Sequence, residues 1–198
     1  MQATTNYRKH TSANRLQRLL IERFYRALCG LIRPLGAGPI LDVGCGEGFT
    51  LARLARAGIG RRLDGVDRSA DALRLGREMH PWATLRQGDA SQLPCPDGAY
   101  DLVLCTEVLE HLDDPAAAVG ELKRVTREYL ALSVPNEPFF MMQRLLRGKD
   151  VLRLGNHPEH VQRWTYWGFV RFLQGCGLRV LQSRAPFAWT LVLAAKGP

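Results

Sequence analysis

The chain contains no apolar run that approaches the length of a membrane span. Met1 to Ser12 is polar and offers no apolar core of a secretory leader. Both gaps point to a cytoplasmic location. Cysteine is sparse: Cys29, Cys45, Cys95, Cys105 and Cys176 are scattered, and none forms a C-x-x-C pair. That excludes a sequence-local metal or redox couple and predicts reduced thiols. Internal repeats and low-complexity linkers are absent, which excludes solenoids and tethered modules. What remains is 198 residues, 46% hydrophobic and 23% charged, enough for one globular domain with a substantial core.

Lys and Arg outnumber Asp and Glu by 27 to 19, a formal charge of +8. A basic balance can attract nucleic acid or an anionic surface. The cations are spread, however, with the densest groups at Arg8-Lys9-His10, Arg15 to Arg26 and Arg144 to Arg153. A solvated basic enzyme surface is the first reading, and nucleic acid comes second.

The stretch Ile40-Leu41-Asp42-Val43-Gly44-Cys45-Gly46-Glu47-Gly48-Phe49 organises the rest. It reads as a buried strand, a glycine-rich turn and a helix starting near Glu47. Glycines let the backbone approach a ligand, and the turn feeds a helix N-terminus rich in unpaired N–H groups. A dinucleotide fold wants G-x-G-x-x-G, but Phe49 stands where the third glycine belongs. Asp42 and Glu47 also flank the loop; carboxylates repel a pyrophosphate and attract a cation. The string Asp42-Val43-Gly44-Cys45-Gly46-Glu47-Gly48 resembles the first motif of class I S-adenosylmethionine (SAM)-dependent methyltransferases. The resemblance runs to the type 11 and ubiquinone-pathway O-methyltransferase-like branch. SAM carries a sulfonium and an ammonium and no phosphate.

Further along, the order continues to agree. Leu63-Asp64-Gly65-Val66-Asp67 reads as a second strand ending in an acid about 20 residues past the glycines, where a carboxylate can accept both ribose hydroxyls. Arg68 follows, and Ser69 caps a helix over 70–79. A third strand over 83–87 leads to Asp89-Ala90, which the resemblance assigns to adenine. The stretch 91–99 is too rich in Pro and Gly for a helix. Strands follow at 100–105 and 129–134 around a helix over 116–126. A helix from about Thr165 and two last strands, 178–183 and 189–195, close the chain as an antiparallel hairpin. Strand–helix alternation predicts a doubly wound α/β sheet. The resemblance implies seven strands in the order 3-2-1-4-5-7-6, the last antiparallel. Residues 1–38 are expected to supply an arm and an amphipathic helix, capped by Asn14 and packed on the core. Residues 39–198 form the SAM-binding domain, with 137–160 a substrate lid. Tyr7 and Arg8 are expected to fold over the ligand, against the alternative of a frayed tail.

Ligands in such sheets sit beyond the carboxyl ends of the strands. With Tyr7, Asp89 and Ala90 implied by the resemblance, the cofactor set is Tyr7, Asp42, Gly44, Cys45, Gly46, Asp67, Arg68, Asp89, Ala90 and Thr106, with Cys45 as a small filler. On the acceptor side stand Thr106-Glu107-Val108-Leu109-Glu110-His111. If 107–111 is a helical turn, Glu107, Glu110 and His111 share a face. His111 is then the first candidate for general base, with Glu107 beside it. Alternatively Glu-x-x-Glu-His resembles a metal cluster of certain O-methyltransferases, and that resemblance implies His160 as a further ligand of Mg²⁺ or Mn²⁺. The expected activity is methyl transfer to a small molecule, at a hydroxyl oxygen. RNA 2′-O-methylation, a non-catalytic SAM-fold interaction protein and an NAD(P)-dependent oxidoreductase are the rivals. Oligomeric state is unreadable.

Overall fold

A computed structural model describes residues 5–137 and 161–197 of the chain. The elements are α1 (Thr5–His10), α2 (Arg15–Ile32), β1 (Pro39–Val43), α3 (Phe49–Arg56), β2 (Arg62–Asp67), α4 (Ala70–Met79), β3 (Thr84–Gln87), β4 (Tyr100–Thr106), α5 (Pro115–Val125), β5 (Thr126–Pro135), α6 (Tyr166–Gly175), β6 (Leu178–Arg184) and β7 (Trp189–Lys196). The sheet has seven strands in the order β3-β2-β1-β4-β5-β7-β6, as expected. β7 runs antiparallel to both neighbours and the other pairs are parallel.

Local chemistry sets the boundaries. Asn14 accepts the N–H of Gln17 at 3.1 Å, so α2 starts at Arg15. Ser69 caps α4 through Ala72 at 3.2 Å, and Asp114 caps α5 through Ala117 at 3.0 Å. Pro115 follows that cap at the first helical position, where its missing N–H costs nothing. The helix after the glycine loop begins at Phe49, later than the sequence pattern suggests. Gly48 is its cap at φ 83°, a conformation that L side chains rarely adopt.

Alternation along the strands divides the core between the two faces of the sheet. Ile40, Leu102, Leu104, Ala131, Leu191 and Leu193 pack with α2, α3 and α4. Leu41, Val103, Leu130, Leu132, Val192 and Ala194 pack with α5 and α6. Residues Leu20, Ile21, Phe24, Tyr25, Leu28, Leu31 and Ile32 of α2 are buried, so the amphipathic helix docks as expected. No described helix is long and apolar enough to cross a membrane. The lid expected over 137–160 lies outside the described residues, apart from Glu137.

No helix forms between β3 and β4, as the Pro- and Gly-rich composition indicates. Arg124 of α5 holds that loop in place. It donates to the carbonyls of Leu93 at 3.0 Å and Cys95 at 2.9 Å, and to Asp97 at 2.6 Å. Glu121 orients the guanidinium at 2.7 Å and accepts the N–H of Leu93 at 2.8 Å. A lysine lacks the planar fork that meets these acceptors together. Arg124→Lys is expected to lower stability by about 1–3 kcal/mol, read by urea unfolding, with faster hydrogen exchange confined to the loop.

Candidate functional site

Strand register builds the site before any side chain is considered. Val43 stands beside Val66 and Cys105, so Gly44, Asp67 and Thr106 come next at the carboxyl ends of β1, β2 and β4. β1 and β4 flank the point where strand order reverses, the usual place for a ligand in an open α/β sheet. The N–H groups of Gly44 and Cys45 donate to Val66 at 2.7 and 3.1 Å. Gly46 donates to Asp67 Oδ2 at 2.7 Å, and Ser69 donates to Asp67 Oδ1 at 2.8 Å. Each oxygen of Asp67 is thus engaged once by backbone and keeps capacity for another donor.

The glycines form a cradle that a side chain would fill. A Cβ on Gly44 would come within 2.1 Å of Val108 Cγ2, and one on Gly46 within 2.8 Å of Asn6 Nδ2. Both have positive φ, 75° and 53°. Cys45 is a buried filler: its Sγ lies 2.6 Å from where a Cβ on Gly65 would sit. Gly65 is therefore as necessary as the loop glycines, although no spacing rule singles it out.

Asp42 is 2% exposed, and its Oδ1 has no hydrogen-bond partner. Burial, with the charge of Asp67 adding to it, pushes its carboxyl up to about 8. An unpartnered buried carboxyl beside a second carboxylate is a costly arrangement that a cation relieves. Glu47 is also buried and accepts from Asn6 Nδ2 at 2.5 Å. That contact belongs to α1, a helix where the sequence suggested only an arm. α1 lies across the loop: the Tyr7 and Phe49 rings are 6.1 Å apart, and His10 stacks on Phe49 at 4.5 Å. Asn6 and His10 escaped the sequence reading, because six residues carry too little pattern to reveal a helix.

The remaining cofactor candidates lie around the same edge. Asp89 is exposed and accepts from Ser91 through N at 2.8 Å and Oγ at 2.6 Å, contacts that hold its carboxyl below the usual range. Ala90 is half-buried, and Arg68 is exposed with its carbonyl accepting from Gln87 at 3.0 Å.

On the acceptor side the helical turn over 107–111 does not form. Glu107 takes φ 58°, and only Leu109–His111 makes a 3-10 turn. The register explains this: β4 runs on through Thr106, and the N–H of Glu107 donates to Ser133 at 2.9 Å, so the chain must turn sharply afterwards. A left-handed non-glycine residue costs energy and is held by its surroundings. Glu110 is 1% exposed, and its carbonyl accepts from Val161 at 2.9 Å and Gln162 at 3.0 Å. Among the described residues no three His, Cys, Asp or Glu side chains could hold a metal, so Glu107, Glu110 and His111 do not form the expected cluster. His160 lies outside the described residues.

Glu107 instead lines a recess with His10, Ile21, Phe24, Tyr25 and Trp189. Its walls come from α1, α2, the end of β4 and the start of β7, which is why sequence spacing could not assemble it. Tyr25 bonds Thr50 at 3.2 Å, and burial raises its phenol well above the ordinary value, so it serves as a wall and not a base.

Comparison with known proteins adds the following. Residues 41–129 match the family model described as a methyltransferase domain. The ubiquinone biosynthesis O-methyltransferase of Thiobacillus denitrificans is 37% identical over 100 residues, covering 48% of this chain and 42% of that protein. The demethylmenaquinone methyltransferase of Streptomyces avermitilis is 37% identical over 91 residues, covering 46% of this chain and 38% of that protein. The chain thus spans under half the length of these two relatives. A solved S-adenosylmethionine-dependent methyltransferase from Mesorhizobium loti superposes with a TM-score of 0.69 at 19% identity, over 88% of this chain and 98% of that one. That likeness concerns the fold.

Two outcomes test the site. A raised folded value for Asp42 means that its contribution to stability is fully present below the ordinary carboxyl value of about 4. It is lost as pH rises through the folded value of about 8. Urea unfolding of the ligand-free protein should show this decline, and Asp42→Asn should flatten it and gain several kcal/mol at the alkaline end. Gly44→Ala should lose cofactor binding by more than about 100-fold, because the cradle closes and the backbone is strained; equilibrium dialysis reads it.

Proposed function

We propose that this chain, whose residues 41–129 are a methyltransferase domain of the SAM-dependent class, binds SAM and methylates a small molecule at a hydroxyl oxygen. The observation that carries the reading is the cradle of Gly44 and Gly46 closed against Asp67, with the unpartnered carboxyl of Asp42 buried behind it. The donor set suits SAM chemically. Asp67 retains acceptor capacity for a vicinal diol. Asp42 and Glu47 supply negative charge to a cationic ligand. Asp89 and Ala90 stand at the neighbouring strand end, where an adenine would lie, and α1 shields the loop from water. The ubiquinone relative's name, which specifies O-methyl transfer, supports oxygen as the acceptor atom.

When bound, SAM supplies a methyl group on a positively charged sulfur. The residues of this chain do the rest by orientation and desolvation. Phe24, Tyr25, Ile21 and Trp189 present an apolar wall beside Glu107, whose negative charge favours the imidazolium that forms at His111. His111, in the 3-10 turn that follows, takes the hydroxyl proton as the oxygen–methyl bond forms. An imidazole is the side-chain type suited to that transfer near neutral pH. The described side chains form no metal site, and no step here passes through one.

The test is transfer of labelled methyl from SAM to phenolic and catecholic acceptors by the full chain. Glu107→Gln and His111→Ala should each slow transfer by about 10²–10⁴-fold while SAM affinity stays within about two-fold. Full activity in both variants would remove the assigned roles. Label that never leaves SAM across a broad set of hydroxyl acceptors would remove the reaction.

A further inference from the structure

The first half of α2 carries cations where α4 and α5 carry acids. A helix N-terminus carries partial positive charge and favours acids. α4 has Asp71 in its first turn, and α5 is capped by Asp114. α2 has no acid in its first turn and carries Arg15 and Arg18 there. Arg23 and Arg26 continue the same outward face. Its acid, Glu22, is engaged by Arg53 of α3 and does not offset them.

Two leucines stand among these cations. Leu16 is 54% exposed and Leu19 is 53% exposed. They do not belong to the buried stripe that begins at Leu20 and continues through Ile21, Phe24 and Leu28. By helical spacing Leu19 lies one turn from both Arg15 and Arg23. Phe187, in the turn between β6 and β7, is 45% exposed and directly precedes Ala188 and Trp189.

We propose that the outward face of α2 around Leu16 and Leu19 docks on an anionic phospholipid surface. Arginines reach lipid phosphates, the exposed leucines enter the headgroup boundary, and negative lipid charge offsets the unfavourable placement of cations at the helix N-terminus. Phosphate groups of a nucleic acid would satisfy the arginines but leave the leucines in water. The surface itself can be tested without cofactor or acceptor.

The experiment is flotation of the full chain with phosphatidylglycerol-containing vesicles and with neutral phosphatidylcholine vesicles. Wild-type protein should float with the anionic vesicles, and far less with the neutral ones. Leu16→Ser/Leu19→Ser and Arg15→Gln/Arg18→Gln should each lower binding about ten-fold or more. SAM affinity and thermal midpoint should be unchanged in both variants, which separates this surface from the cofactor site. Absence of binding to anionic vesicles overturns the proposal. So does an unaffected leucine variant whose vesicle binding a short RNA displaces, which would mark a polyanion surface indifferent to lipid.

Discussion

The hydrogen bond from the Gly46 N–H to Asp67 Oδ2, at 2.7 Å, is the clasp on which this molecule depends. It joins the turn after β1 to the tip of β2 and sets the loop where strand order reverses. The N–H groups of Gly44 and Cys45, donating to Val66, fix the same turn to the second strand. With the clasp, Asp67 and the loop face one crevice, and Asp42 is sealed behind them at 2% exposure. The seal has an energetic consequence. A carboxyl in that position is pushed up to about 8, so it keeps its proton near neutral pH unless a cation comes close. The parallel sheet sets the loop at the switch point, and the buried acid lies directly behind it.

α1 and Glu107 complete the arrangement from the other side. α1 brings Asn6 to Glu47 and stacks His10 on Phe49, so the loop is covered as well as anchored. Glu107 turns sharply out of β4 in a left-handed conformation, which directs the chain into a recess shared with α2 and β7. The loop and the recess therefore draw on opposite flanks of the same strand ends.

Much of this was legible in the residue order. The glycine loop, the acid about 20 residues later and the strand–helix alternation are local signals, and local signals survive folding. Asn14 and Ser69 marked helix starts because capping chemistry acts within three residues. The failures have a different cause. Val108-Leu109-Glu110-His111 has helix-compatible composition, so the sharp turn at Glu107 was invisible; it follows from β4 pairing with β5 as far as Ser133. Gly65 looks like an ordinary strand residue until Cys45 is seen to occupy its missing side chain. The recess draws on His10, Tyr25, Glu107 and Trp189, which only the folded topology brings together.

Calorimetric titration of the protein with SAM near neutral pH, repeated in buffers of different ionisation enthalpy, tests the central claim most directly. Asp42 is pushed up to about 8 without ligand, so a bound cation should expel its proton to the buffer. The account predicts micromolar binding, heats that shift with buffer in the direction of proton release, and loss of both in Asp67→Ala. Absence of binding heat in every buffer, or binding that Asp67→Ala leaves intact, would contradict it.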